Sequence, residues 1–177
     1  MVNMIKTIGC AVGLAAMLST SATAQEQSTN RVAAKTDWSV FVEDNPTECW
    51  GVSTPKETVN SRDGRVVAVN RGQTLLMVFY RPSAGAKGQV AFTGGYPFAS
   101  GSTVTMNISG NSFELFTEGE WAWPATTDDD SKIITAMKRG ANATLSGVSG
   151  RGTNTKDTFS LLGFTAAVED AAKRCGG

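Results

Sequence analysis

Histidine is absent from the chain, and its absence removes most of the chemistry that a small domain can carry. A serine or cysteine nucleophile has no imidazole to take its proton, and a metal site has no imidazole ligand. Ser53, Thr54, Pro55 and Lys56 reproduce the Ser-x-x-Lys spacing of penicillin-recognising enzymes. That chemistry needs the serine at a helix start and companion Ser-Asp-Asn and Lys-Thr-Gly segments, and neither companion occurs here. Asp128, Asp129 and Asp130 offer oxygens to a hard cation. Ca²⁺, however, takes about six to eight ligands from a looping chain, and three consecutive acids suit the first turn of a helix better. Glu114, Glu118 and Glu120 leave a carboxylate hydrolase as the one open enzymatic reading, which would need two carboxyls held roughly 5–9.5 Å apart. No phosphate loop or dinucleotide fingerprint is present, so no cofactor and no metal are expected. Lys plus Arg number 16, as do Asp plus Glu. With no strongly basic window, nucleic acid is not an expected partner.

Binding remains. Trp121 and Trp123 stand two residues apart, so on a strand both indoles leave by the same face. The expectation is that they plug one end of the core, with Glu120 and Ala122 outward; the alternative is an aromatic contact platform. Gly94, Gly95, Tyr96, Pro97 and Phe98 form a loop rich in turn residues. A tight turn is expected there, open to a cis bond before Pro97, with Tyr96 and Phe98 as contact residues if the loop tip is exposed. Arg151 lies between Gly150 and Gly152, a turn or bulge, with Asp157 as its expected ionic partner. A folding role suits that segment, with a contact role for Arg151 as the alternative. Sequons at Asn107 and Asn142 matter only in a eukaryotic secretory pathway.

The elements that must position these residues follow from periodicity. Residues 1–24 carry Lys6, then a short apolar run, then Ala22, Thr23 and Ala24, the three-part layout of a signal peptide. Cys10 does not make it a lipoprotein, because most of the apolar run follows the cysteine instead of preceding it. After cleavage no membrane-spanning segment is expected. Residues 25–36 are polar and read as a flexible leader. Beyond them, short β-branched and aromatic runs predict strands at 38–42, 49–53, 65–69, 74–80, 89–93, 103–108, 112–117 and 120–123, with two more near 143–149 and 158–162. Asp63-Gly64, Arg71-Gly72 and Gly110-Asn111 supply turns, the last in the position of a type II′ hairpin. The acids at 128–130 open a helix of about two turns that ends at Gly140, and Thr165 is the expected N-cap of an alanine-rich helix ending at Cys175. The pattern predicts one all-β domain over 37–177, an antiparallel sandwich or barrel with two short α-helices. Cys49 and Cys175 remain after cleavage. An intramolecular disulfide is expected, worth about 5 kcal/mol in a chain-entropy account. A dimer-forming pair and a free thiol are the alternatives.

The C-terminal third carries a resemblance. Ser149-Gly150-Arg151-Gly152-Thr153, then Thr155, Asp157-Thr158-Phe159-Ser160-Leu161 and Gly163-Phe164, runs into the alanine-rich helix and Cys175. Together with Trp38-x-Val40 and Cys49, this resembles the invasion-associated locus B family of bacterial envelope proteins. The resemblance implies a periplasmic or surface-associated protein of a Gram-negative bacterium. The family is named after a member that promotes invasion of erythrocytes, and it offers no catalytic residues to transfer. The expectation is therefore a non-enzymatic binding or adhesion protein with an unidentified envelope or cell-surface partner. A structural or stress-protective envelope role and the carboxylate hydrolase are the alternatives. If processing follows Ala24, intact-mass analysis of periplasmic protein begins at Gln25, whereas full-length chain recovered from the cytoplasm would refute export.

Overall fold

Strand alternation places Trp38 and Val40, then Cys49 and Gly51, on one face of a sheet, and an amphipathic helix covers that face. The computed structural model describes residues 29–176; the signal-peptide expectation lies outside them. In chain order the strands are β1 (Arg31–Lys35), β2 (Trp38–Asp44), β3 (Thr47–Ser53), β4 (Glu57–Arg62), β5 (Arg65–Val66), β6 (Leu75–Arg81) and β7 (Ala86–Thr93). They continue as β8 (Thr103–Ile108), β9 (Asn111–Glu118), β10 (Trp121–Trp123), β11 (Asn142–Val148) and β12 (Asn154–Ser160), with helices α1 (Thr127–Arg139) and α2 (Phe164–Arg174). All pairings are antiparallel, in one 12-stranded sheet of order β1-β2-β3-β6-β7-β10-β9-β8-β11-β12-β4-β5. The sheet curls until Phe92 of β7 meets Phe159 of β12 edge to face, ring centroids 6.1 Å apart. β1 and β5 stay as the two edges, so the all-β expectation takes the form of one curled sheet.

α2 lies on β2 and β3. Ala167 and Val168 sit over Gly51, and Trp38 packs edge-on against Phe164 at 4.8 Å while donating its indole N–H to the Ser160 carbonyl at 3.0 Å. A disulfide fixes the far end of α2, joining Cys49 to Cys175 with Cα atoms 5.8 Å apart across a sequence separation of 126. The helix starts at Phe164 behind Gly163, not behind Thr165. Gly163 has φ +88°, and a Cβ there would lie 1.9 Å from the Lys35 carbonyl oxygen. That close approach excludes any side chain, so backbone packing, not a hydroxyl cap, sets the helix start.

α1 begins at an N-cap, Thr126, whose hydroxyl accepts from the Asp129 N–H. The acids at 128–130 lie in its first turn as expected, and the helix runs 13 residues instead of about two turns. Asp130 is buried and accepts the Val90 N–H at 2.7 Å. β10 pairs with β7 only at Phe92 and Thr93, so this carboxylate answers a donor that the short strand leaves behind. Burial raises the Asp130 pKa above the ordinary aspartate value, against the opposing pull of the Val90 hydrogen bond.

Several local expectations are corrected. Residues 31–35 are not a free leader: they ladder onto β2 and form a sheet edge. β4 is polar, which hid it from a periodicity reading, and it pairs along β12. Only Arg65 and Val66 of the expected strand at 65–69 ladder. The strand expected near 158–162 lies earlier, at Asn154–Ser160. The two-residue β8–β9 loop is Ser109-Gly110, both with positive φ, giving a type I′ turn instead of II′. The cis peptide among the described residues is Asn45–Pro46, not the bond before Pro97.

The expected Arg151–Asp157 pair does not form. Asp157 has no solvent exposure and binds Arg71, whose side chain is 8% exposed, through two parallel contacts: Nη2 to Oδ2 at 2.7 Å and Nη1 to Oδ1 at 2.8 Å. Thr58 donates to the same carboxylate at 2.8 Å, and Arg71 Nε donates to the Gly94 carbonyl at 2.9 Å. Its guanidinium also lies 5.0 Å from the Tyr96 ring centroid. Arg151 is exposed on the turn between β11 and β12, while the Asp157 carboxylate is occupied by Arg71.

Two stability measurements follow. Cys175→Ser should lower unfolding free energy by about 2–5 kcal/mol, and reductant should then change the variant's denaturant curve no further. Arg71→Met should cost about 3–5 kcal/mol by stranding a buried carboxylate, while Arg151→Ala should stay within about 0.5 kcal/mol. Equal effects of the two arginine substitutions would refute the pairing.

Candidate functional site

β6 reads Leu75, Leu76, Met77, Val78, Phe79, Tyr80, apolar at both parities of the strand. Such a strand has two faces to cover. Leu76, Val78 and Tyr80 are buried in the core with α2. Leu75, Met77 and Phe79 point the other way, and their neighbours in register continue the apolar character. Phe41 of β2 pairs with Trp50 of β3, which pairs with Phe79. The first two rings stack at 5.5 Å with planes 7° apart, and Trp50 to Phe79 is 6.0 Å. In the next row Val52 opposes Met77, which opposes Ala91 of β7.

Trp121 and Trp123 complete this outer surface. Ala122, between them, is fully buried opposite Phe92, so alternation sends both indoles outward. The core-plug expectation is thus corrected: the small alanine fits the packed interior, and the tryptophans take the open side. Their rings stack at 6.2 Å with planes 15° apart, and Trp121 is 37% exposed. Trp123 opposes Phe116 of β9, which is 53% exposed.

Between the Phe41–Trp50 side and the Trp121 side lies an open groove of about 950 Å³, with Val52, Leu75 and Met77 among its apolar lining. Its acidic members are Asp37 and Glu120. Asp37 forms an ion pair with Lys56 at 2.6 Å, and the hydrogen bond from Lys56, then one from Ser160, lowers its pKa below the ordinary aspartate value. Ser53, expected to be chemically idle, is buried and donates to the Asp37 carbonyl at 2.7 Å. Among the described residues no group of three or more His, Cys, Asp or Glu could hold a metal ion.

The other sequence-derived contact residues lie elsewhere. Phe98 is buried, 4.9 Å from Tyr96 and 6.1 Å from Phe92 between ring centroids. Tyr96 is half-buried, its hydroxyl hydrogen-bonded to Thr155. The loop that carries them folds inward over Arg71 instead of presenting a tip. Arg151 stands alone on an exposed turn. Sequence reasoning missed Phe41, Trp50, Phe79 and Phe116. The unbroken apolar run of β6 was the available signal, since a strand apolar at both parities has two apolar faces.

The comparisons with known proteins fit this architecture. The family model described as invasion associated locus B protein matches residues 38–172. The crystal structure of invasion associated protein B from Bartonella henselae superposes with a TM-score of 0.56 at 14% sequence identity, covering 82% of this chain and 98% of that one. At that identity the likeness shows the fold, and it agrees with the mostly antiparallel sheet and two helices described above. No curated protein matches the chain. No helix among the described residues is long and apolar enough to cross a membrane. With β2 to β12, α1 and most of α2 inside the matched span, the chain belongs to the invasion associated locus B family.

Proposed function

We propose that this is an exported, non-catalytic binding protein of the bacterial envelope, processed after Ala24, whose outer aromatic face receives a partner. The observation that carries the reading is the two-sided apolar character of β6: α2 covers one side, and an open groove lies on the other. Exposed apolar surface costs solubility unless something uses it, and aromatic residues are enriched where proteins meet. Export is supported by the N-terminal pattern and by a buried disulfide, which persists in oxidising compartments. A non-catalytic role is supported by the absence of histidine and by the pairing of Asp37 with Lys56, which leaves Glu120 without a free carboxylate partner in the groove. The structural neighbour is an invasion associated protein, which fits a partner on the envelope or on a host-cell surface.

The test is capture. Mature protein and a Phe116→Ser/Trp121→Ser variant serve as bait in cross-linking to envelope extract and to host-cell membranes. Phe116 is 53% and Trp121 37% exposed, and a cooperative melting transition of the variant checks that it still folds. Its capture should fall about tenfold, whereas a Thr144→Ala/Ser146→Ala control on a distant part of the sheet should keep it. Undiminished capture by the aromatic variant would sink the reading.

A further inference from the structure

The chain already holds two of its own arginines in one way. Arg81 lies 4.1 Å from the Phe79 ring centroid while its Nε contacts Glu48 at 3.1 Å. Arg71 lies 5.0 Å from the Tyr96 ring centroid while it grips Asp157. Each is an aromatic ring beside a carboxylate, which suits a guanidinium: its planar, weakly hydrated face stacks on the ring and its N–H edge donates to the acid.

The β9–β10 hairpin presents a third ring–carboxylate combination that holds no arginine. Trp121 stands directly opposite Glu118 in the ladder, and Trp123 opposite Phe116. Glu114 and Glu118 lie two residues to either side of Phe116, so all three side chains leave β9 on one face. Glu120 lines the groove with Trp121. Glu114, Glu118 and Glu120 are exposed and make no ion pair among the described residues. Of the cations on the outer face, Arg81 on β6 is engaged by Glu48, Gln89 and Phe79, Arg31 on β1 stands opposite Phe41, and Lys156 lies on β12; none of these strands pairs with β9 or β10. The patch is therefore aromatic, acidic and without a cation of its own, beside an apolar groove.

We propose that Trp121 and Glu118, with Phe116, Glu114 and Glu120 around them, bind an arginine of a partner protein's basic, apolar segment, whose neighbouring apolar side chains enter the groove. This rests on the reading of the aromatic face as the binding surface and adds the chemistry of what binds. The carboxylates repel anionic ligands, and the groove floor of Val52, Leu75 and Met77 receives the aliphatic neighbours of the cation.

The probes are acetyl-Leu-Arg-Leu-Arg-Leu-amide and the same peptide with citrulline in place of arginine, which keeps the planar shape and removes the charge. Tryptophan fluorescence and calorimetry on the mature protein should show the arginine peptide binding about tenfold more tightly than the citrulline peptide. The preference should shrink between about 50 and about 500 mM NaCl. It should vanish in Glu118→Gln/Glu120→Gln, whose exposed positions leave the melting curve in place, and binding should weaken in Trp121→Leu. Equal binding of the two peptides would overturn the proposal while leaving the aromatic face a binding surface, if capture still depends on Phe116 and Trp121. An arginine preference retained without the two glutamates would overturn it as well. So would quenching by phosphatidylcholine–phosphatidylglycerol vesicles with no response to either peptide, which would make the face a lipid-contact surface.

Discussion

A carboxylate removed from water in the middle of β12 has to be answered by a positive charge, and much of the fold is arranged around that requirement. Asp157 cannot be left alone at zero exposure, and Arg71 reaches it across 86 positions of sequence. The chain between β5 and β6, which is not a strand, is held by this pair. Thr58 on β4 and the Gly94 carbonyl after β7 attach to the same two side chains. One ion pair thus ties the paired strands β12 and β4 to the loops at residues 71 and 94, which follow β5 and β7. Tyr96 folds over the guanidinium, which draws Phe98 into the core.

The second constraint is the accounting of faces. A curled antiparallel sheet buries its inner face by curling, and along most strands the outer face is polar. β8, β11 and β12 obey this: Thr105, Ser146 and Lys156 share one cross-strand row on the outside. The neighbouring strands β2, β3, β6, β7 and β10 do not. There α2, held by Trp38 and by the disulfide, covers the inner side, and the outer side carries the aromatic row and the groove. The two halves of one sheet therefore meet water differently, and this asymmetry is the basis of the functional reading.

Arginine on an aromatic ring beside an acid is the recurring local device. It closes the interior at Arg71 and braces the outer face at Arg81. In the first case the carboxylate is buried and the pair is structural. In the second both partners are about one-third exposed or less, and salt and solvent weaken what it contributes. The hairpin of Glu118 and Trp121 offers the same chemistry to an arginine from outside the chain.

The sequence by itself determined what short-range physics controls. Period-two alternation placed most strands, glycine and aspartate marked the hairpin turns, and two cysteines beyond the leader allowed one intramolecular bridge. The block from Gly150 to Phe164 with Trp38 and Cys49 pointed to the family. Alternation also said that Trp121 and Trp123 leave by one face, but it could not say which face: a one-residue change of register or a reversed curl exchanges inside and outside for the whole strand. Only the packing of Ala122 against Phe92 decided that. The same holds for Asp157, since Arg151 was near in sequence and Arg71 near in space, and ionic pairing follows space. Tertiary structure decided the orientation of the aromatics and the partner of the buried charge because both depend on contacts between residues far apart in the chain.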